Sequence, residues 1–328
     1  MAVKDEVLKL LEENRDVFLS GEKIAEDLKV SRNAVWKAIK DLQKKGYLIE
    51  AVNNKGYALS KESDILSVQG IEKYLEDVNR GFQVEVYKEV ESTNTLVYKA
   101  AGMGAGEGYL VVSESQTKGK GRKGKSFFSP GDSGVYFSLL LRPENYTKEE
   151  APMLTTMAAV AMCDAIDRIA ENQVKIKWVN DLFSEGKKIS GILTEASVGL
   201  EDDSMTFVVV GIGTNVYFPK EGFPEEVKDV AGALFTERKE DVKNRLVAYF
   251  VNAFMQYYRR KDREGYTAKY REKSLVLGQE IDVLKGTERI GARAIDIDEN
   301  CGLIVRYPDG TKEVLNSGEI SIRVKEGR

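Results

Sequence analysis

The feature that most restricts how this chain folds is a change of hydrophobic period along it. Apolar residues recur at helical spacing before residue 46, strand-like and long helical runs mix between residues 82 and 259, and short strand-like runs follow residue 278. One uniform bundle or one repeated unit cannot satisfy all three patterns, so the 328 residues are read as an α+β multidomain chain with units at 1–62, 63–277 and 278–328.

In the first unit, Val7, Leu8, Leu10 and Leu11 mark a short helix. Ser20 caps a second helix with Ile24, Ala25 and Leu28 inward. Ser31 caps a third, with Ala34, Val35, Ala38, Ile39 and Leu42 inward and Lys44-Lys45-Gly46 at its end. Two strands, 47–52 and 57–59, flank the turn Asn53-Asn54-Lys55-Gly56, which makes the unit a winged helix-turn-helix. After a polar linker come strands at 82–87, 109–115, 134–141, 175–178, 188–196 and 205–212, and helices at 91–101, 149–170 and 239–259. Strands and helices run in groups, which predicts a mixed or antiparallel sheet under helices. The last unit, with runs at 280–284, 291–297, 302–307, 312–315 and 320–324, reads as a small SH3-like β-barrel.

Composition narrows the chemistry. Histidine is absent, which excludes Ser-His and Cys-His nucleophile pairs and every His-containing metal site. The two cysteines, Cys163 and Cys301, have neither disulfide-framework nor zinc spacing and suit a reducing compartment. The charged start and the lack of a long apolar run predict a cytoplasmic chain with no membrane association. A net charge of -4 means that any DNA binding is local.

The third helix is suited to it. Ser31, Arg32, Asn33, Lys37 and Lys40 face outward and Lys55 sits in the wing, positions from which phosphates and base edges are reached. A trihelical protein–protein module with an ordinary solvated face is the alternative. Trp36 is read as core packing. A second basic feature, Gln116-Thr117-Lys118-Gly119-Lys120-Gly121-Arg122-Lys123-Gly124-Lys125, directly follows a strand. Its glycines let backbone amides approach an anion that the cations neutralise, although an exposed turn has the same composition. The P-loop spacing is missing, and Phe127-Phe128 offers cover for an apolar ring.

Together with that loop, the runs Glu91-Ser92-Thr93-Asn94, Phe127-Phe128-Ser129-Pro130, Lys177-Trp178-Val179-Asn180-Asp181-Leu182, Lys187-Lys188-Ile189-Ser190-Gly191-Ile192-Leu193-Thr194-Glu195 and Gly211-Ile212-Gly213-Thr214-Asn215 resemble the successive motifs of the biotin protein ligase family. With the N-terminal reader the resemblance spans nearly the whole chain and is nearest the bifunctional bacterial form, biotin-[acetyl-CoA-carboxylase] ligase and biotin operon repressor.

The resemblance implies a central catalytic domain of the biotin/lipoate ligase type that joins biotin to ATP as biotinyl-5′-AMP and passes the acyl group to a lysine of the biotin carboxyl carrier protein. It assigns Lys188 and Arg122 to catalysis, and Ser92, Thr93, Asn94 and Gln116 to biotin. Gly119, Lys120, Gly121, Arg122, Lys123, Gly124, Phe127, Lys188, Gly191, Gly211 and Asn215 line the ligand, and Asp181 meets Mg2+. Lys120 stands where the family pattern has arginine and Phe127 where tryptophan is common, so the bidentate fork is lost and the aromatic cover kept. The resemblance further implies a homodimer formed on binding biotinyl-5′-AMP, which binds a palindromic operator. A sheet edge involving 134–141 and 188–196 would receive either the second copy or the carrier protein. A non-catalytic biotin-sensing regulator and a lipoate-type ligase are the competing readings.

Overall fold

Capping serines set two of the three N-terminal helices. The Ser20 hydroxyl accepts from the Lys23 amide at 3.0 Å and that of Ser31 from the Ala34 amide at 3.1 Å, each satisfying one orphan donor of the first turn. The computed structural model describes residues 2–143, 146, 150–199, 205–260, 263–285, 287–316 and 318–322. Helices α1 (Val3–Glu13), α2 (Gly21–Asp27) and α3 (Arg32–Lys44) pack with the hairpin β1 (Ile49–Val52) and β2 (Gly56–Leu59) around a separate core that includes Leu8, Leu11, Ile24, Val35, Ile39 and Leu42. The expectation for Trp36 fails: its side chain is 49% exposed, because the buried stripe of α3 is Val35, Ala38, Ile39 and Leu42 and residue 36 faces away from it.

The short α4 (Val68–Glu72) leads into a seven-stranded sheet ordered β3-β4-β5-β9-β8-β7-β6. Its strands are β3 (Val84–Val90), β4 (Leu110–Gln116), β5 (Gly134–Leu141), β6 (Lys175–Lys177), β7 (Asp181–Ser184), β8 (Lys187–Val198) and β9 (Met205–Asn215). β3 and β4 run parallel and the remaining pairs antiparallel, the mixed sheet that the grouped pattern predicts. α5 (Thr93–Gly102) covers one face through Val97 and Ala101 on Val111, Leu140 and Val209. α6 (Ala151–Asp167) and α7 (Val242–Arg260) cover the other, where Val112, Phe137 and Val210 point. β5 is not an edge, contrary to the expectation for 134–141, because it is hydrogen-bonded to β4 on one side and β9 on the other. β8 is paired with β7 only through Gly191 and Ile192 is still bonded to Asn180, so among the described residues no strand pairs with its outer side beyond Ile192.

α8 (Arg263–Lys273) buries Tyr266 and Tyr270 and hands the chain to β10 (Glu280–Lys285), β11 (Glu288–Ile297), β12 (Leu303–Arg306), β13 (Lys312–Leu315) and β14 (Glu319–Ile322). These form an antiparallel sheet, order β13-β12-β11-β10-β14, of the SH3-like kind. Its apolar face merges with the central core, and the Trp178 indole donates to the Cys301 carbonyl at 3.0 Å across the join. Cys163 and Cys301 are both buried free thiols. Among the described residues no helix is long and apolar enough to cross a membrane.

The helix-turn-helix unit is fastened to the central body by a buried ionic cluster. Arg15 meets Glu12 at 2.8 and 2.9 Å and Asp241 at 2.9 Å, and Lys73 lies 3.1 Å from Glu12 and 3.3 Å from Asp241. Tyr74 and Asn244 also donate to Asp241, at 2.8 and 2.7 Å. Burial pushes the Asp241 carboxyl above the usual carboxylate range; Arg15 and Lys73 pull it back and Glu12 adds to the rise. Removing one member of such a cluster leaves buried charge uncompensated, so Glu12→Ala is expected to lower stability by about 3 kcal/mol in urea unfolding. A loss under about 1 kcal/mol contradicts that account.

Candidate active site

Ser92 caps α5 and starts one wall of a cleft: its hydroxyl accepts from the Thr95 amide at 3.4 Å. The Thr93 amide and hydroxyl both donate to the Gln116 side-chain carbonyl, at 2.9 and 3.2 Å, at the end of β4. Gln116 donates in turn to Ser129 at 3.0 Å, which donates to the Phe127 carbonyl at 2.9 Å. Ser138, buried in the middle of β5, has its hydroxyl 2.8 Å from Thr93 Oγ1 and 2.6 Å from Asn94 Oδ1, and its one proton serves either. Asn94 donates to Glu195 at 2.7 Å. This wall is neutral, rich in donors and acceptors, and held by second partners.

Two glycines of β9 make room for it. A Cβ on Gly211 would lie 1.8 Å from Asn94 Oδ1, and one on Gly213 would lie 2.5 Å from a ring carbon of Phe127. The bare backbone of β9 therefore seats both the polar wall and its aromatic cover.

The opposite side is cationic. The chain leaves β4, makes the basic loop, and returns with the Phe127 amide on the Gly119 carbonyl at 2.9 Å and the Gly121 amide on the Lys125 carbonyl at 2.6 Å. A single 3-10 turn at Arg122–Gly124 holds Lys123 at φ 54°, in the left-handed region. Arg122 reaches inward and donates to the Asn180 side-chain carbonyl at 3.2 Å and to the Gly318 carbonyl at 3.4 Å. Lys120 lies 3.8 Å from Glu195, and Lys188 lies 2.7 Å from Asp181 and 5.8 Å from the centre of the Phe127 ring. All three cations line one cleft with Ser92, Thr93, Asn94, Gln116, Gly121, Phe127, Gly191 and Gly211. Each already has an oxygen partner, which an incoming anion can replace without leaving the cation bare.

The remaining candidates are elsewhere. Lys123 and Gly124 are exposed at the loop tip, and Gly119 serves the loop's own pairing. Asn215 donates to the Gly232 carbonyl at 2.9 Å and so ties the 229–232 segment to β9. Arg32, Asn33, Lys37, Lys40 and Lys55 are exposed on α3 and the wing, whereas the Ser31 hydroxyl is engaged as a cap. Sequence reasoning missed the roles of Asn180, Ser138 and Glu195, which act through partners 44 to 101 residues away. Asp181 is a lone carboxylate: among the described residues no three His, Cys, Asp or Glu side chains gather as a metal cage. That donor set fits a magnesium ion carried in on phosphates better than a resident ion.

Residues 86–215 match the biotin/lipoate A/B protein ligase family, residues 4–58 an HTH domain and residues 276–323 the biotin protein ligase C terminal domain. The chain is 34% identical over 321 residues to the bifunctional ligase/repressor BirA of Bacillus subtilis, covering 96% of this chain and 97% of that protein. It is 26% identical over 313 residues to the protein of the same name in Escherichia coli, covering 94% of each. Among solved structures, the biotin protein ligase from Aquifex aeolicus in complex with biotin and ATP matches with a TM-score of 0.59 at 28% identity, over 74% of this chain and 98% of that one.

The Gly211 contact makes a prediction about folding alone. Gly211→Ala is expected to destabilise the protein by about 2 kcal/mol in chemical denaturation. Asn94→Ala, which empties the space the new methyl needs, should recover part of that loss in the double variant. Strict additivity of the two changes would contradict the packing described.

Proposed function

The chain belongs to the biotin/lipoate A/B protein ligase family, in the bifunctional form with an N-terminal HTH domain, and on that premise we propose how its own residues make and use biotinyl-5′-AMP. The chain is an ATP-dependent biotin protein ligase that modifies the biotin carboxyl carrier protein of acetyl-CoA carboxylase, and a repressor that reads operator DNA. The observation that carries the site assignment is the facing of Lys120, Arg122 and Lys188 across one cleft from the neutral Ser92, Thr93, Asn94 and Gln116 wall.

The neutral wall takes the ureido ring of biotin, whose carbonyl and two N–H groups need both donors and acceptors. The valeryl carboxylate then points to the cations, where the α-phosphate of ATP must also come. Two unit charges 4 Å apart repel by about 4 kcal/mol at an effective dielectric near 20, so the approach needs fixed positive charge more than a covalent nucleophile. Lys188 exchanges Asp181 for a phosphoryl oxygen as the carboxylate attacks phosphorus and pyrophosphate departs. Arg122 exchanges Asn180 for the adenylate and holds it until the carrier lysine amine attacks the acyl carbon and AMP leaves. Asp181, once released by Lys188, is the residue that would hold magnesium, which supplies charge neutralisation on the phosphates. Phe127 covers the ligand from the side of the basic loop, and Asn215 keeps the 229–232 segment beside it.

The repressor form is a homodimer assembled on biotinyl-5′-AMP, with the cytoplasm as its compartment; two HTH units related by a two-fold axis suit a palindromic site. Arg32, Asn33, Lys37 and Lys40 meet the groove and backbone, and Lys55 the neighbouring phosphates.

Incubation of the purified chain with biotin, ATP, magnesium and a carrier domain should give pyrophosphate and biotinylated carrier, and lipoic acid in parallel should not substitute. Lys188→Ala is expected to lower the rate of pyrophosphate release by a factor of about 100 to 1,000 with the fold retained. A variant within a few-fold of the parent removes Lys188 from the chemistry. Lys120→Arg restores a bidentate fork and should slow release of the adenylate, read by chase with unlabelled biotin.

A further inference from the structure

Trp36 is the bulkiest side chain on the outer face of α3, and neither the HTH core nor any role above uses it. We propose that Trp36 reads thymine methyl groups in the operator, setting sequence preference while the neighbouring cations hold phosphates. The inference rests on the DNA-binding reading of the HTH domain.

The helix period places Asn33, Trp36, Lys37 and Lys40 on one stripe, at i, i+3, i+4 and i+7, opposite buried Val35, Ala38, Ile39 and Leu42. All four stripe residues are exposed, Trp36 by 49%. A single exposed apolar side chain is ordinary by itself, and its meaning comes from what lies beside it. The charge around it selects the partner. The charged residues of α3 are Arg32, Lys37, Lys40 and Lys44 against the single acid Asp41, and Lys55 stands in the wing, so the expected partner is polyanionic.

Trp36 is the fifth residue of α3, within the N-terminal part of a recognition helix that meets base edges. Tryptophan has no acceptor and a large apolar face, and in the major groove the apolar feature that distinguishes bases is the thymine C5 methyl. Asn33, one turn earlier, carries the amide that pairs with the N6 and N7 edge of adenine. The two together describe a half-site containing an A·T step.

The full-length chain, with biotin, ATP and magnesium, is used to select from random duplexes long enough for two half-sites, and the winning duplex is remade with deoxyuridine at each thymidine in turn. Loss of a methyl under Trp36 should weaken binding of the parent by about fourfold, the worth of one buried methyl group. Trp36→Ala should bind more weakly and be indifferent to the same replacement, with its salt dependence unchanged. Lys37→Ala, in contrast, should lose affinity for all sequences and reduce the salt slope by about one. Biotin transfer and thermal midpoint of Trp36→Ala should equal those of the parent; if that variant unfolds, Trp36→Gln takes its place.

Retained methyl discrimination in the variant overturns the inference and leaves the repressor reading intact. Failure of the parent to select any sequence overturns both. Loss of dimer formation in DNA-free Trp36→Ala assigns the indole to a contact between copies and also overturns it.

Discussion

A missing Cβ at Gly211 lets the Asn94 amide lie directly against β9, and the rest of the cleft is arranged from that contact. Asn94 so placed reaches Ser138 on β5 and Glu195 on β8, which fixes the amide from both sides. Glu195 in turn faces Lys120 on the basic loop, so the neutral wall and that loop share one acid. A side chain at residue 211 would displace the first member of this series, and the polar wall would lose the geometry that gives it selectivity. Preorganisation here comes from close backbone approach on a sheet buried under α6 and α7, which is stiffer than any loop-borne arrangement.

Substrate chemistry without histidine or a reactive thiol follows from the same layout. Lys188 and Asp181 are paired at 2.7 Å before ligand arrives, as Arg122 is with Asn180, so the cations are neither wandering nor bare. Exchange of one oxygen partner for another keeps the charge balance nearly constant, and the protein's contribution is electrostatic placement. The HTH unit has its own core and is joined to this body by the Glu12, Arg15, Lys73 and Asp241 cluster. Ion pairs that have lost their water weaken steeply when misplaced, so such a joint favours one orientation of the reader more sharply than an apolar contact of equal area.

Much of the fold was legible where local signals were strong. Ser20 and Ser31 announce helices because a cap is a local hydrogen bond, and the largely apolar run of β5, interrupted by Ser138, announces a buried strand. α8 was not visible because its burial rests on Tyr266 and Tyr270 within a polar sequence, too sparse a stripe to read as a period. β7 was hidden by its length of four residues and by the tight return from β6. In the site, residue types followed from family motifs, but the pairings did not: Arg122 meets Asn180 across 58 residues, through a loop conformation that no local rule specifies. Trp36 was misread because a tryptophan is more often inside than out, and only the phase of the helix decides.

The seclusion of the two cysteines carries a practical corollary. Burial pushes the Cys163 thiol up to about 12, and burial likewise raises that of Cys301, whose sulfur sits 3.7 Å from the Thr267 hydroxyl. Both thiols are buried and held in their neutral form, so alkylating reagents and mild oxidants find almost no nucleophile. An engineered surface cysteine would therefore take a maleimide dye alone, and the protein can be labelled at one chosen place with both native sulfurs left where they are.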